Sequence, residues 1–143
     1  MKNRDSKVIV IADSHEAFQK SFRELIENTV QSKDDIIIGV SDKNELLDFI
    51  SQHVPDIIFI DFYLGQEQTT LIIQDILNQN PEIIIIALSF YDEHEYIDTM
   101  LHAGVKGYLL KNADNKEVLE KLLLNQNEKF YFSNEIKLNI QVS

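Results

Sequence analysis

The sequence has no cysteine and no tryptophan, and only 2 prolines and 4 glycines in 143 residues. Without cysteine there is neither a disulfide framework nor a thiolate metal site, which suits a reducing cytoplasm. None is needed for stability, because a chain of this length buries about 68–70% of its unfolded surface. Glycines are too few to form a phosphate-cradling loop after the first strand, which argues against nucleotide or flavin binding. The 4 histidines, His15, His53, His94 and His102, show no metal-ligand spacing. No apolar run approaches the roughly 18 residues of a membrane span, and Met1 to Asp13 lacks the features of a signal peptide. Cations are also scarce. Lysine and arginine number 13 against 24 acids, a net charge of −11, and they are scattered, so this chain itself is not expected to bind nucleic acid. These absences leave a soluble cytoplasmic protein with no membrane partner.

What is present is alternation. Apolar runs rich in Ile and Val occur at Val8 to Ala12, Ile36 to Val40, Ile57 to Ile60, Ile83 to Leu88 and Val105 to Leu110. They are continuous, as in strands covered on both faces of a parallel sheet. Helical patterns lie between them. Phe18, Phe22, Leu25 and Ile26 share one face; Asp42 with Glu45, Asp92 with Glu95 and Asp114 with Glu117 are capping-box patterns. This predicts a doubly wound α/β domain with a five-stranded parallel sheet and helices on both faces; the strand order is taken as 2-1-3-4-5, one of the two common doubly wound orders. The domain is placed at residues 1–127, and 128–143 is read as a C-terminal tail or the start of a linker to an output domain outside this sequence.

Open α/β sheets bind ligands at the carboxyl ends of their strands, where strand order reverses. There the sequence puts Asp13 after strand one, Asp61 after strand three, Ser89 after strand four and Lys111 after strand five. Two carboxylates, a hydroxyl and an ammonium suit a divalent cation beside a phosphoryl group. Each has an ordinary alternative: Asp13 as a helix cap, Lys111 as a surface cation. The coincidence of four carries the reading.

Val8-Ile-Val-Ile-Ala-Asp-Ser-His15, Pro55-Asp-Ile-Ile-Phe-Ile-Asp61, Ile84-Ile-Ile-Ala-Leu-Ser89 and Ala103-Gly-Val-Lys-Gly-Tyr-Leu-Leu-Lys111 resemble, in order and spacing, the receiver domain of two-component response regulators. The resemblance covers roughly residues 7 to 125 and implies a CheY-like, flavodoxin-like fold. It implies that Asp61 accepts a phosphoryl group from a phosphohistidine of a sensor histidine kinase, with Mg²⁺ neutralising the developing charge. Asp13, Asp61 and the backbone carbonyl of Tyr63 would hold the metal, Ser89 and Lys111 the phosphoryl group, and Ser89 with Tyr108 would form the switch. The kinase would dock near Phe18 and Phe22 on the first helix, and a homodimer would form through the fourth helix, fifth strand and fifth helix. His15, Gly107-Tyr-Leu-Leu-Lys111 without a following proline, and Phe130-Tyr-Phe-Ser133 resemble the regulators with a LuxR-type (NarL-type) helix-turn-helix output, which act in transcription.

Three positions depart from the family pattern. Ser14 stands where a second acid is usual, which weakens the expected Mg²⁺ site. Gly65 replaces a proline, which predicts a looser loop after Asp61. Phe90 follows the switch hydroxyl where a small residue is usual and is expected to restrict access to Asp61. Two other readings stay open: a receiver-like interaction module that works without phosphorylation, and a phosphatase with an Asp nucleophile, although Asp61-Phe-Tyr63 has tyrosine where such enzymes place a general acid.

Overall fold

A computed structural model describes residues 6–30, 34–124 and 127–136. The elements follow the chain as β1 (Val8–Ala12), α1 (Glu16–Val30), β2 (Ile36–Val40), α2 (Lys43–Gln52), β3 (Ile57–Asp61), the short pair β4 (Tyr63–Leu64) and β5 (Glu67–Gln68), α3 (Thr70–Gln79), β6 (Ile84–Ser89), α4 (His94–Ala103), β7 (Gly107–Leu110), α5 (Lys116–Leu123) and β8 (Tyr131–Phe132). The main sheet is parallel, in the order β2-β1-β3-β6-β7-β8. Its first five strands are those expected, in the order expected. The sixth, β8, comes from the segment after α5, and its two residues were too short a run to read as a strand. The expected boundary at 127/128 falls just before β8, and the last part of the expected tail, residues 137–143, lies outside the described residues.

The continuous apolar runs are explained by two cores, because a strand sends alternate side chains to opposite faces. Val10, Ile58, Ile60, Ile85, Ala87 and Tyr108 point to one face, where Leu46 of α2, Ile73 and Ile76 of α3, and Ile97 and Met100 of α4 cover them. Ile9, Ile11, Ile57, Phe59, Ile86 and Leu109 point to the other, against Phe22 and Ile26 of α1 and Leu119 and Leu122 of α5. Each buried Val, Leu, Ile, Phe or Met among them contributes about 1.5–3 kcal/mol, and truncating Phe59, which is fully buried, would cost about 3–5 kcal/mol. Phe22 meets Phe59 edge-on at 5.0 Å and is itself buried, so its ring is part of the core, while Phe18, one turn earlier, is only partly buried.

The three capping signals fare differently. Asp42 caps α2, accepting from Glu45 N at 2.9 Å. Asp92 and Asp114 do not cap their helices: α4 and α5 begin one residue later, behind Glu93 and Asn115. Asp114 still accepts from Lys116 N at 3.1 Å, whereas the Asn115 side chain is drawn into the interior.

Candidate functional site

All five long strands run the same way, so their carboxyl ends meet at one edge, and the predicted polar residues arrive there on the ends of strands too apolar to move. Asp13 follows β1 and is fully buried; Asp61 ends β3 and is 9% exposed; Ser89 ends β6 and is fully buried. Lys111 follows β7, with its backbone N–H donating to the Ser89 carbonyl at 2.9 Å. Its ammonium lies 2.5 Å from Asp13 Oδ2 and 2.7 Å from Asp61 Oδ2, with no side-chain exposure. The Lys111 ammonium also lies over two aromatic rings, Phe18 at 4.7 Å and Phe90 at 5.3 Å from Nζ.

The charges do not cancel. One ammonium faces two carboxylates, and burial pushes the Asp61 carboxyl above the ordinary carboxylate range, against the lowering effect of Lys111 and with a further raise from Asp13. Asp61 Oδ1 accepts from Phe62 N at 2.7 Å. Asp13 Oδ1 accepts from His15 N at 2.8 Å and lies 3.2 Å from His15 Nδ1. Asp13 Oδ2 is buried with no aligned hydrogen bond, its contact with Lys111 being an ion pair only. Asp13, His15 and Asp61 each present a ligand atom within 4.8 Å of the others. A residual negative charge and mostly oxygen donors fit a hard divalent cation.

Beside Asp61 opens a cleft of about 270 Å³ lined by Ser14, His15, Asp61, Tyr63, Gly65, Phe90 and Tyr91. All three positions that depart from the family pattern line this cleft. Phe90 stands 59% exposed at its rim. Gly65 has φ +62°, in the turn joining β4 to β5, where a proline ring fixed near −65° cannot follow. The glycine suits the tight antiparallel turn in which β4 pairs with β5. Thr69, fully buried, donates Oγ1 to the Asp61 carbonyl at 2.7 Å and to the Phe62 carbonyl at 3.0 Å. Thr69 escaped the sequence reading, since a threonine before a helix ordinarily reads as a cap, and here its side chain makes no cap bond.

Tyr108 is also inside. Its hydroxyl donates to the Tyr91 carbonyl at 2.6 Å, and burial pushes its pKa up to about 12. Tyr91 N in turn donates to Ser89 Oγ at 3.0 Å, so Ser89, Tyr91 and Tyr108 are one linked unit. Tyr91 stacks on Tyr96 with centroids 4.4 Å apart, and Phe62 meets Tyr96 edge-on at 5.0 Å, extending the unit from the site to α4. Tyr91 carried no signal in the sequence beyond being an aromatic in a loop.

Comparison with known proteins agrees with this geometry. The family model described as the response regulator receiver domain matches residues 9–123. The oxygen regulatory protein NreC of Staphylococcus haemolyticus is 30% identical over 112 residues, which are 78% of this chain and 51% of that protein; the chain spans about half the length of the curated relatives it matches. Among solved structures, a two-component response regulator of the LuxR family from an Aurantimonas species superposes with a TM-score of 0.79 at 19% identity, over 96% of this chain and 99% of that one. The isolated receiver domain of RcsB from Salmonella enterica serovar Typhimurium, solved with the phosphomimetic BeF₃⁻, gives 0.77 at 18% identity, over 93% and 97%. A match to most of the chain, over a sheet edge that gathers Asp13, Asp61, Ser89 and Lys111, means that this chain belongs to the response regulator receiver domain family, a family of signalling domains.

Proposed function

We propose that this receiver accepts a phosphoryl group on Asp61 from a phosphohistidine of a sensor histidine kinase, and that the modified site changes a partner surface in a cytoplasmic regulator of transcription. The observation that carries this reading is Lys111 bridging Asp13 and Asp61 in a buried site that is still one charge short of neutrality. In the step proposed, an Asp61 carboxylate oxygen attacks phosphorus, an O–P bond forms as the N–P bond breaks, and the imidazole leaves, regaining its proton to become neutral. Lys111 holds the carboxylate and then a phosphoryl oxygen, and the Ser89 hydroxyl, now accepting from Tyr91 N, would turn to donate to the same group. Thr69 fixes the backbone of Asp61, so the nucleophile does not have to be ordered during the reaction.

Asp13 and Asp61, with the Tyr63 backbone carbonyl, would hold Mg²⁺. The ion would supply charge neutralisation for the transferring group. Neutral Ser14 removes one carboxylate from this set, which predicts a weak site. The added charge of about −1.5 to −2 would pull Ser89 and Lys111 toward Asp61, and through Tyr91 the pull reaches α4.

Relatives named as oxygen and transcriptional regulators support a LuxR-type regulator of transcription. RcsB has been solved as dimers bound to DNA, which supports a homodimer here through α4, β7 and α5; in this chain β8 forms the sheet edge that a second copy would meet. The acidic chain leaves DNA contact to an output domain. Position 63, where an Asp-nucleophile phosphatase needs its acid, is a half-exposed tyrosine, which speaks against hydrolysis of external substrates. The test is beryllofluoride addition with and without Mg²⁺, followed by backbone NMR. Mg²⁺-dependent shifts at Asp61, Ser89, Tyr91 and Lys111 are expected; unchanged spectra with both present would argue for a module that works without phosphorylation.

A further inference from the structure

The segment after α5 reaches the site through the interior. In β7, Tyr108 and Leu110 turn their backbone groups toward β8, since these alternate along a strand. Pairing with β8 ends at Tyr108, whose carbonyl accepts from Ser133 N at 3.3 Å. One step further, Leu110 has no strand beside it, and a buried N–H and C=O must find other partners. Ser133 and Asn115 supply them, with Ala113 N also donating to the Leu110 carbonyl at 3.2 Å. Leu110 N donates to Ser133 Oγ at 2.8 Å, Ser133 Oγ donates to Asn115 Oδ1 at 2.6 Å, and Asn115 Nδ2 donates to the Leu110 carbonyl at 2.9 Å. Ser133 is fully buried and Asn115 is 5% exposed, so the ring of bonds is closed and screened from water. The next residue after Leu110 is Lys111.

A second observation shows that the seat of this segment is built into β7. Gly107 pairs with Tyr131, and a Cβ on Gly107 would collide with the Tyr131 backbone carbonyl. Only glycine lets β8 come this close.

We infer that Ser133 and Asn115 are positioning residues for Lys111, so that the segment after α5 is a working part of the site and its seat in the sheet is coupled to the state of the Asp61 pocket. The backbone of Lys111 is held from one side by Ser89 and from the other by the Leu110 clamp, and only with both in place does the ammonium reach Asp13 and Asp61. Because coupling between two sites is reciprocal, a change in how Lys111 is held alters the hold on Ser133. The inference rests on the Lys111 pairing used in the proposed function, but not on phosphorylation itself.

The experiment is reductive methylation of the whole chain, with the labelling rate of each lysine read by mass spectrometry. Lys111 is enclosed and slow; Lys7, 9% exposed at the opposite edge of the sheet, is the control. Ser133→Ala leaves Leu110 N and Asn115 Oδ1 unpaired and is expected to raise Lys111 labelling about tenfold, the population change that one lost hydrogen bond commands. Lys7 labelling should not change, and Ser133→Thr, which keeps the hydroxyl, should restore slow labelling. Lys111 labelling at the parent rate in Ser133→Ala, labelling that rises in step with Lys7, or no rescue by Ser133→Thr would each overturn the inference. If Ser133→Ala fails to fold, Asn115→Ala is read by the first two criteria. Labelling needs no phosphoryl group, so an Asp61 that proves inert to phosphorylation would remove the proposed function and leave this result standing.

Discussion

Lys111 Nζ stands 2.5 Å from Asp13 Oδ2, and both side chains are closed to solvent. A buried ion pair on its own is weak evidence for stability, because desolvation offsets its attraction. This ammonium also serves a second carboxylate, Asp61, at 2.7 Å, so the pocket holds a negative charge that its own residues leave unbalanced. The arrangement makes sense as a site for an added cation and an arriving phosphoryl group, and it sets the sign of several measurable effects.

The first concerns Asp61 and pH. Burial raises its pKa in the folded chain, so the folded state holds that proton more tightly than the unfolded one. Its contribution to stability is fully present below the unfolded value of 3.8 and is lost as pH rises through the raised folded value. Asp61→Asn, with chelator present, should therefore melt higher than the parent at pH 7, with the gap closing toward pH 3.5. A lower melting temperature at pH 7 would show that the Lys111 pair outweighs burial.

Tyr108 gives an alkaline counterpart. With its pKa pushed up to about 12 against an ordinary 10.0, the folded chain keeps a proton that the unfolded chain loses, and stability falls between pH 10 and about 12. Denaturant melts across that range should show this slope, and Tyr108→Phe should remove its Tyr108 component. The same substitution deletes the bond to the Tyr91 carbonyl and should cost about 0.5–1.5 kcal/mol at pH 7.

Thr69 tests how the nucleophile is held. Thr69→Val keeps the shape and removes the hydroxyl from the Asp61 and Phe62 carbonyls, with an expected loss of about 1–3 kcal/mol. Hydrogen exchange should quicken around residues 61–69. Unchanged exchange there would mean that the β4–β5 turn alone fixes the loop.

Ser14 tests the cation. Ser14→Asp adds a carboxylate to the cleft that Asp61 also lines and should tighten Mg²⁺ binding by roughly tenfold or more, measured by calorimetry. Equal affinity in both proteins would place the ion away from this cleft.

Gly107→Ala drives a methyl group into the Tyr131 carbonyl and Ile86. It should cost about 1–3 kcal/mol and expose residues 127–136 to proteolysis while the rest of the sheet resists. Cleavage unchanged from the parent would contradict the close seating of β8.

The five long strands were legible because a strand buried on both faces leaves a continuous apolar run, as in Ile57 to Ile60; their order came with the family resemblance. The edge residues were legible because in a parallel sheet each run ends at the same edge, which made Asp13, Asp61, Ser89 and Lys111 neighbours by topology alone. What escaped depends on tertiary contacts. Tyr131 and Phe132 form a strand only because Gly107 admits them, Thr69 and Asn115 turn from capping to interior bonds, and the turn at Gly65 shows only in its positive φ. Phe22 shows the reverse: its spacing gave the helix face correctly, but only packing against Phe59 shows that the Phe22 ring itself belongs to the core.

The central claim is that Asp61 is a phosphoacceptor. Its most direct test is incubation with acetyl phosphate and Mg²⁺ followed by peptide mass spectrometry, on the parent chain and on Asp61→Asn. The account predicts a single phosphoryl group, labile to acid and base, on the peptide containing Asp61 and absent from the variant. The same label on Asp61→Asn, or an unlabelled Asp61 in a parent chain shown to bind Mg²⁺, would contradict it.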